Sequence, residues 1–150
     1  MLIAPFKWNI CCVVFPTILL FKKAMELKEL VLSPLKHTWI IDLDGTIVKH
    51  NGYKIDGRDS FLPGAKEFLE SIPEGDLVLI VTSRTDEFKE LTIEFLKENG
   101  VIYDHIIFNA PFGERVIVND DKPSGLCCAI AIKSNRDAFE YPEIVINKQI

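Results

Sequence analysis

Apolar and polar positions recur along this chain with two different periods, and the switches between them mark its elements. A strand is expected over 38–43, where the apolar run Trp39-Ile40-Ile41 ends abruptly in carboxylates, and over 77–81, an unbroken apolar run stopped by a cluster of polar residues. Runs of this length bounded by turn signals read as buried strands. Between them, Ala65, Phe68, Leu69 and Ile72 recur at helical spacing after Pro63-Gly64, and Pro73 closes the helix. Phe88, Leu91, Thr92, Phe95 and Leu96 form a second helical face after the second strand. Thr85 or Asp86 caps that helix, Asp86 and Glu87 suit the positive end of its dipole, and Gly100 stops it. Shorter β-compatible runs follow at 105–108, 116–118 and 128–132, with an edge strand at 144–146.

Asn51-Gly52 sits between two β-compatible runs, and both residues tolerate positive φ, so a hairpin flap is expected over 47–55. Residues 25–31 are polar and helix-compatible. Apolar strands alternating with helices predict an α/β fold: three layers, Rossmann-like, with a mostly parallel sheet of about five strands and the flap after strand one.

Residues 1–36 differ from the rest. The apolar run at 10–21 contains Pro16 and is flanked by Lys7 and by Lys22-Lys23. It falls short of the roughly 20 apolar residues that span a bilayer, and no small-x-small cleavage site follows it. We read residues 1–36 as an extension and 37–150 as the functional domain, with a chain starting at Met25 expected to fold and act.

Composition narrows the class. At 150 residues the chain is long enough for one domain with a real core. A net charge of −5 argues against nucleic acid or an anionic membrane as the partner. The cysteines fall in two adjacent pairs, Cys11-Cys12 and Cys127-Cys128, without the spacer of a zinc or redox motif. They read as small buried hydrophobes in a reducing, cytoplasmic setting.

The chemistry gathers at the strand ends. Strand one stops in Asp42 and Asp44, followed by Gly45 and Thr46; strand two in Thr82, Ser83 and Arg84; the run at 116–118 in Asn119, Asp120, Asp121 and Lys122. In a parallel sheet these ends share one edge, where α/β folds bind their ligands. Two neighbouring carboxylates at a buried strand end are costly unless a positive group offsets them. Mg²⁺ suits such a set, since it takes a few carboxylate oxygens and leaves positions for water or phosphate.

Asp42-Leu43-Asp44-Gly45-Thr46 after an apolar strand, Thr82 ending a second, and a late Asp120-Asp121 together resemble the haloacid dehalogenase (HAD) superfamily, over about residues 38–133. The resemblance implies a phosphatase-like fold and these roles. Asp42 is the nucleophile that forms an aspartyl-phosphate, and Asp44 is the acid and then the base. Thr82 holds a phosphoryl oxygen, and Gly45 and Thr46 shape the loop. Asp42, Asp44, Asp120 and Asp121 serve the Mg²⁺. The superfamily's lysine has no obvious upstream counterpart; Lys122 takes the role, with Arg115 as second choice. Ser83 and Arg84 join the substrate side, while Lys49, His50, Tyr53 and Lys54 on the flap rank lower.

The intervals from Thr46 to Thr82 and from Thr82 to Asp120 leave no room for a cap domain. A capless member acts on large substrates or borrows a cap by oligomerising. Asn119-Asp120-Asp121-Lys122-Pro123-Ser124-Gly125 is similar to small HAD proteins of bacterial surface-sugar pathways. The expected activity is Mg²⁺-dependent hydrolysis of a small phosphorylated metabolite, a sugar phosphate first. The alternatives are a phosphatase of nucleic-acid ends, a receiver-like phospho-switch, and a phosphate-binding relative without catalysis.

Overall fold

The computed structural model describes residues 29–138 and 140–150. The apolar run at 10–21, the first cysteine pair and the start at Met25 lie outside the described residues. Five strands and three helices follow in order: β1 (Glu29–Leu32), β2 (Thr38–Asp42), α1 (Gly52–Ile55), α2 (Ala65–Ser71), β3 (Leu77–Val81), α3 (Lys89–Glu98), β4 (His105–Ile107) and β5 (Glu143–Ile146). A 3₁₀ turn at Asp86–Phe88 leads into α3.

The strands form two small parallel sheets, one of three strands ordered β2-β3-β4 and one pairing β1 with β5. The expected single sheet of about five strands is not formed among the described residues. Glu29, Leu30 and Val31, read as helix-compatible, belong to β1. Leu30 and Leu32 alternate inward while Glu29 and Val31 face out, the period of a half-buried strand. β1 and β5 join residues on either side of the boundary drawn at 36.

The runs at 116–118 and 128–132 are not strands. Residues 111–125 are exposed throughout. β-branched residues favour extended backbone but make a strand only beside a partner, and pairing is non-local. Cys127 is exposed and Cys128 half-buried, both as free thiols, so this pair is not the buried pair expected.

The three-stranded sheet positions the site. Asp42 pairs in register with Val81, so the residues after β2 and those after β3 leave the sheet at the same edge. α2 connects β2 to β3, and α3 connects β3 to β4. Ile41, Val78 and Ile80 from the strands, with Leu43 just after β2, meet Ala65, Phe68 and Leu96 from the helices in one core. Trp39 meets Phe68 edge-on, with ring centroids 5.9 Å apart. Thr85 precedes the 3₁₀ turn in extended backbone but makes no side-chain cap bond. Gly100, at φ +69°, ends α3 as expected. Among the described residues no helix is long and apolar enough to cross a membrane.

The flap is not a hairpin. A type I′ turn needs positive φ at both central residues, and only Asn51 (φ 54°) has it. The chain winds instead into the single turn of α1, which buries Tyr53 against Phe88 at 4.6 Å between ring centroids. Only the base of the flap is β-like: Lys49 N–H donates to Ser60 C=O and Leu62 N–H to Ile47 C=O, both at 3.0 Å.

Candidate active site

The turn after β2 is wound tightly around one carbonyl. Leu43 C=O accepts the N–H groups of Thr46, Ile47 and Val48, while Gly45 N–H reaches Val48 C=O at 2.7 Å. Gly45 stands at φ +78°, a conformation that favours glycine, and the Arg136 side chain lies across it. The C-terminal part of the chain seals the turn from outside. Asp137 N–H donates to Gly45 C=O at 2.9 Å, and the Asp137 carboxylate accepts from His50 N–H at 2.7 Å. The Tyr141 hydroxyl donates to Thr46 C=O at 2.9 Å. Burial, with the charge of Glu67 adding to it, pushes that hydroxyl's pKa up to about 12.

Asp42 and Asp44 sit two residues apart yet meet different surroundings. One oxygen of Asp42 accepts from the Thr46 hydroxyl at 2.8 Å, and the other faces the Arg115 guanidinium at 3.8 Å. Its side chain keeps 42% of its surface open to the cleft, against 18% for Asp44. Partial burial pushes the Asp42 carboxyl above the ordinary carboxylate range, although the Thr46 hydroxyl and Arg115 pull it back.

Asp44 is clamped. Arg84 Nε donates to one of its oxygens at 2.8 Å and Nη2 to the other at 2.9 Å. The Thr82 hydroxyl donates more weakly to Asp44, at 3.4 Å. Arg84 is 3% exposed, which burial alone could not sustain for a charge. Its remaining N–H groups donate to both oxygens of Asp59 at 2.7 Å and to the Thr92 hydroxyl at 2.9 Å. All five guanidinium donors are therefore used. The guanidinium also lies over the Tyr53 ring, 4.0 Å from its centroid. Burial disfavours its charge, but the bonds from Asp59 and Asp44 prevail and hold its pKa above the ordinary value.

Arg84, considered from the sequence for the substrate side, is thus an internal strut. Asp59 and Thr92 escaped notice as parts of the site. Thr92 left one trace, a hydroxyl on an otherwise apolar helix face; Asp59 left none.

Asp42, Thr82, Lys54, Arg115 and Arg136 line a cleft of about 380 Å³ at this sheet edge, with His50, Ser83 and Phe112 on its walls. Arg115 is braced by the Pro111 and Gly113 carbonyls at 2.7 and 3.0 Å. Lys54 Nζ lies over the Tyr53 and Phe88 rings at 5.3 and 5.2 Å. His50 offers Nε2 to Asn51 at 2.9 Å, while its Nδ1 is buried without a partner among the described residues. Ser83 turns its hydroxyl to Pro111 C=O at 3.5 Å.

Asp42, Asp44, Gly45, Thr46, Thr82, Ser83, Arg84 and Arg115 are thus brought together. Asp120, Asp121 and Lys122 are not. They sit on the exposed segment, where Lys122 Nζ binds Asp120 at 2.9 Å. That bond lowers the Asp120 pKa and raises that of Lys122. The cation beside Asp42 is Arg115, the second choice from the sequence. Among the described residues, no three His, Cys, Asp or Glu side chains are placed to hold a metal ion. With Asp44 engaged by Arg84 and Asp120 remote, the donor set does not fit Mg²⁺ in this arrangement.

Comparison with protein-family models, curated proteins and solved structures finds no match to this chain.

Proposed function

We propose that this chain hydrolyses a small phosphomonoester, a sugar phosphate first among candidates, with Asp42 as nucleophile. One observation carries the reading: Asp42 is the unclamped carboxylate of its pair and opens on a cleft bordered by three cationic side chains, Arg115, Arg136 and Lys54. The Asp-x-Asp-Gly-Thr motif and its resemblance to the HAD superfamily support it. So does the parallel β2-β3-β4 arrangement with helical crossovers. A three-layer, Rossmann-like domain acting in the cytoplasm is part of the same proposal.

In the first step an oxygen of Asp42 bonds to phosphorus as the ester oxygen leaves with its electron pair and takes a proton from Asp44. In the second, water gives a proton to Asp44 and attacks phosphorus, the bond from phosphorus to the Asp42 oxygen breaks, and the Asp42 carboxylate and phosphate are released. Arg115 and Arg136 neutralise the phosphoryl oxygens, and Thr82 donates to one of them. No step is routed through Mg²⁺, whose expected ligands Asp120 and Asp121 are not at the cleft. For Asp44 to carry the proton, one of its two bonds to Arg84 has to open.

That clamp favours a second reading, a phosphate-binding protein that does not turn over. Acid quenching with an aryl phosphate, supplied with and without Mg²⁺, separates the two. Catalysis gives multiple turnovers and a phosphoryl group that maps to Asp42; binding alone gives neither.

A further inference from the structure

We propose that two copies of this chain associate through residues 114–122, paired as antiparallel strands about Val118. Among the described residues, this segment carries three consecutive exposed apolar side chains. Val116 is 80% exposed, Ile117 52% and Val118 92%, and none of the three reaches the core. Among the described residues, no backbone-to-backbone hydrogen bond involves residues 111–121. A β-branched run with all its backbone donors and acceptors open is a template for another strand.

The segment is presented as one limb of an arm. Its base is fixed by the Arg115 bonds to Pro111 and Gly113. Its far end turns where Gly125 N–H meets Lys122 C=O at 2.9 Å, and Asn119 Nδ2 ties across to Cys128 C=O at 2.9 Å. Pro123 then removes a donor and limits the pairing to the residues before it.

Charge selects the partner and the register. Read antiparallel against itself with Val118 on the two-fold axis, the segment sets Glu114 opposite Lys122 twice over; Arg115 falls opposite Asp121, but its guanidinium stays at Asp42 and the Pro111 and Gly113 carbonyls. Two Val118 side chains then meet at the axis. Shifting the axis between Ile117 and Val118 brings Glu114 against Asp121, and shifting it between Val118 and Asn119 brings Arg115 against Lys122. Centring on Ile117 sets Glu114 against Asp120, and centring on Asn119 sets Asp121 against Ile117. Only the Val118 register sets Glu114 against Lys122 and opposes no like charges, and opposed like charges disfavour a ladder. A segment complementary to itself fits a second copy in an isologous contact. The Lys122–Asp120 pair is exposed on both sides, so redirecting Lys122 to the second copy costs little.

The test is sedimentation of the full chain over a concentration series, independent of any catalytic role. A reversible dimer is expected. Glu114→Lys and Lys122→Glu, each of which opposes like charges, should weaken it by about ten-fold. The double variant, with the pair reversed, should restore it. Hydrogen exchange at alternate amides of residues 116–118, those that face the partner strand, should slow as concentration rises. A monomer at every concentration overturns the proposal, as does a dimer indifferent to both single changes. Slow exchange at these residues that does not depend on concentration also overturns it, since the run would then be folded onto its own chain.

Discussion

Two carboxylates two residues apart have opposite energetic characters. Asp44 is compensated: the buried Arg84 bridges it to Asp59, whose side chain is 1% exposed. Removing the bridge strands a buried charge, so Arg84→Ala should destabilise the fold by about 3–5 kcal/mol in chemical denaturation. Arg84→Lys should recover only part, because one ammonium cannot replace a five-donor fork. An Arg84→Ala protein as stable as the parent would show the strut to be incidental. Asp42 is under-compensated, and its raised pKa sets the sign of its effect. The folded state holds this proton at pH values where the unfolded chain has released it. Stability therefore falls as pH rises from the ordinary carboxylate value through the raised one, and the loss persists at neutrality. Asp42→Asn should melt above the parent at neutral pH, and the gap should close below the carboxylate range. A lower melting temperature at neutral pH would contradict this. Asp76 behaves oppositely. Burial opposes its charge, but bonds from the Trp39 indole and from the His37 N–H and ring outweigh burial and lower its pKa. Its stabilisation is present above the ordinary carboxylate value and is lost as pH falls through the lowered one.

At the scale of elements, the turns matter more than the helices and strands they join. Gly64 leads into α2 at φ +78°, and a Cβ there would lie 3.1 Å from the Tyr141 ring. Tyr141 also stacks on Phe68 of that helix, with centroids 5.2 Å apart. Gly64→Ala should therefore cost about 1–2 kcal/mol from the backbone alone, read as a lowered melting temperature. An unchanged melting temperature would show that α2 can shift to relieve both the φ and the contact. What the sequence made legible follows the same division. The strand ends at Asp42 and Thr82, and the stop at Gly100, rest on local signals within a few residues. Asn51-Gly52 is also a local signal, but the contacts that replace the hairpin, Tyr53 under Arg84 and against Phe88, join residues more than 30 positions apart.

At the scale of the molecule, non-local pairing decided the rest. Arg84 and Asp59 are 25 residues apart, with no periodicity linking them. The run at 116–118 has strand composition but no partner among the described residues, which leaves Asp120, Asp121 and Lys122 away from Asp42 and Arg115 beside it. The segments that follow β2 and β3 converge on one cleft with Arg115 and Arg136, and its open carboxylate is Asp42. Phosphate release from an aryl phosphate, measured for the parent and for Asp42→Asn side by side, tests the role of that carboxylate as nucleophile directly. Steady turnover is expected of the parent, with a loss of about 10³-fold or more in the variant. Equal rates in the two proteins would contradict that role.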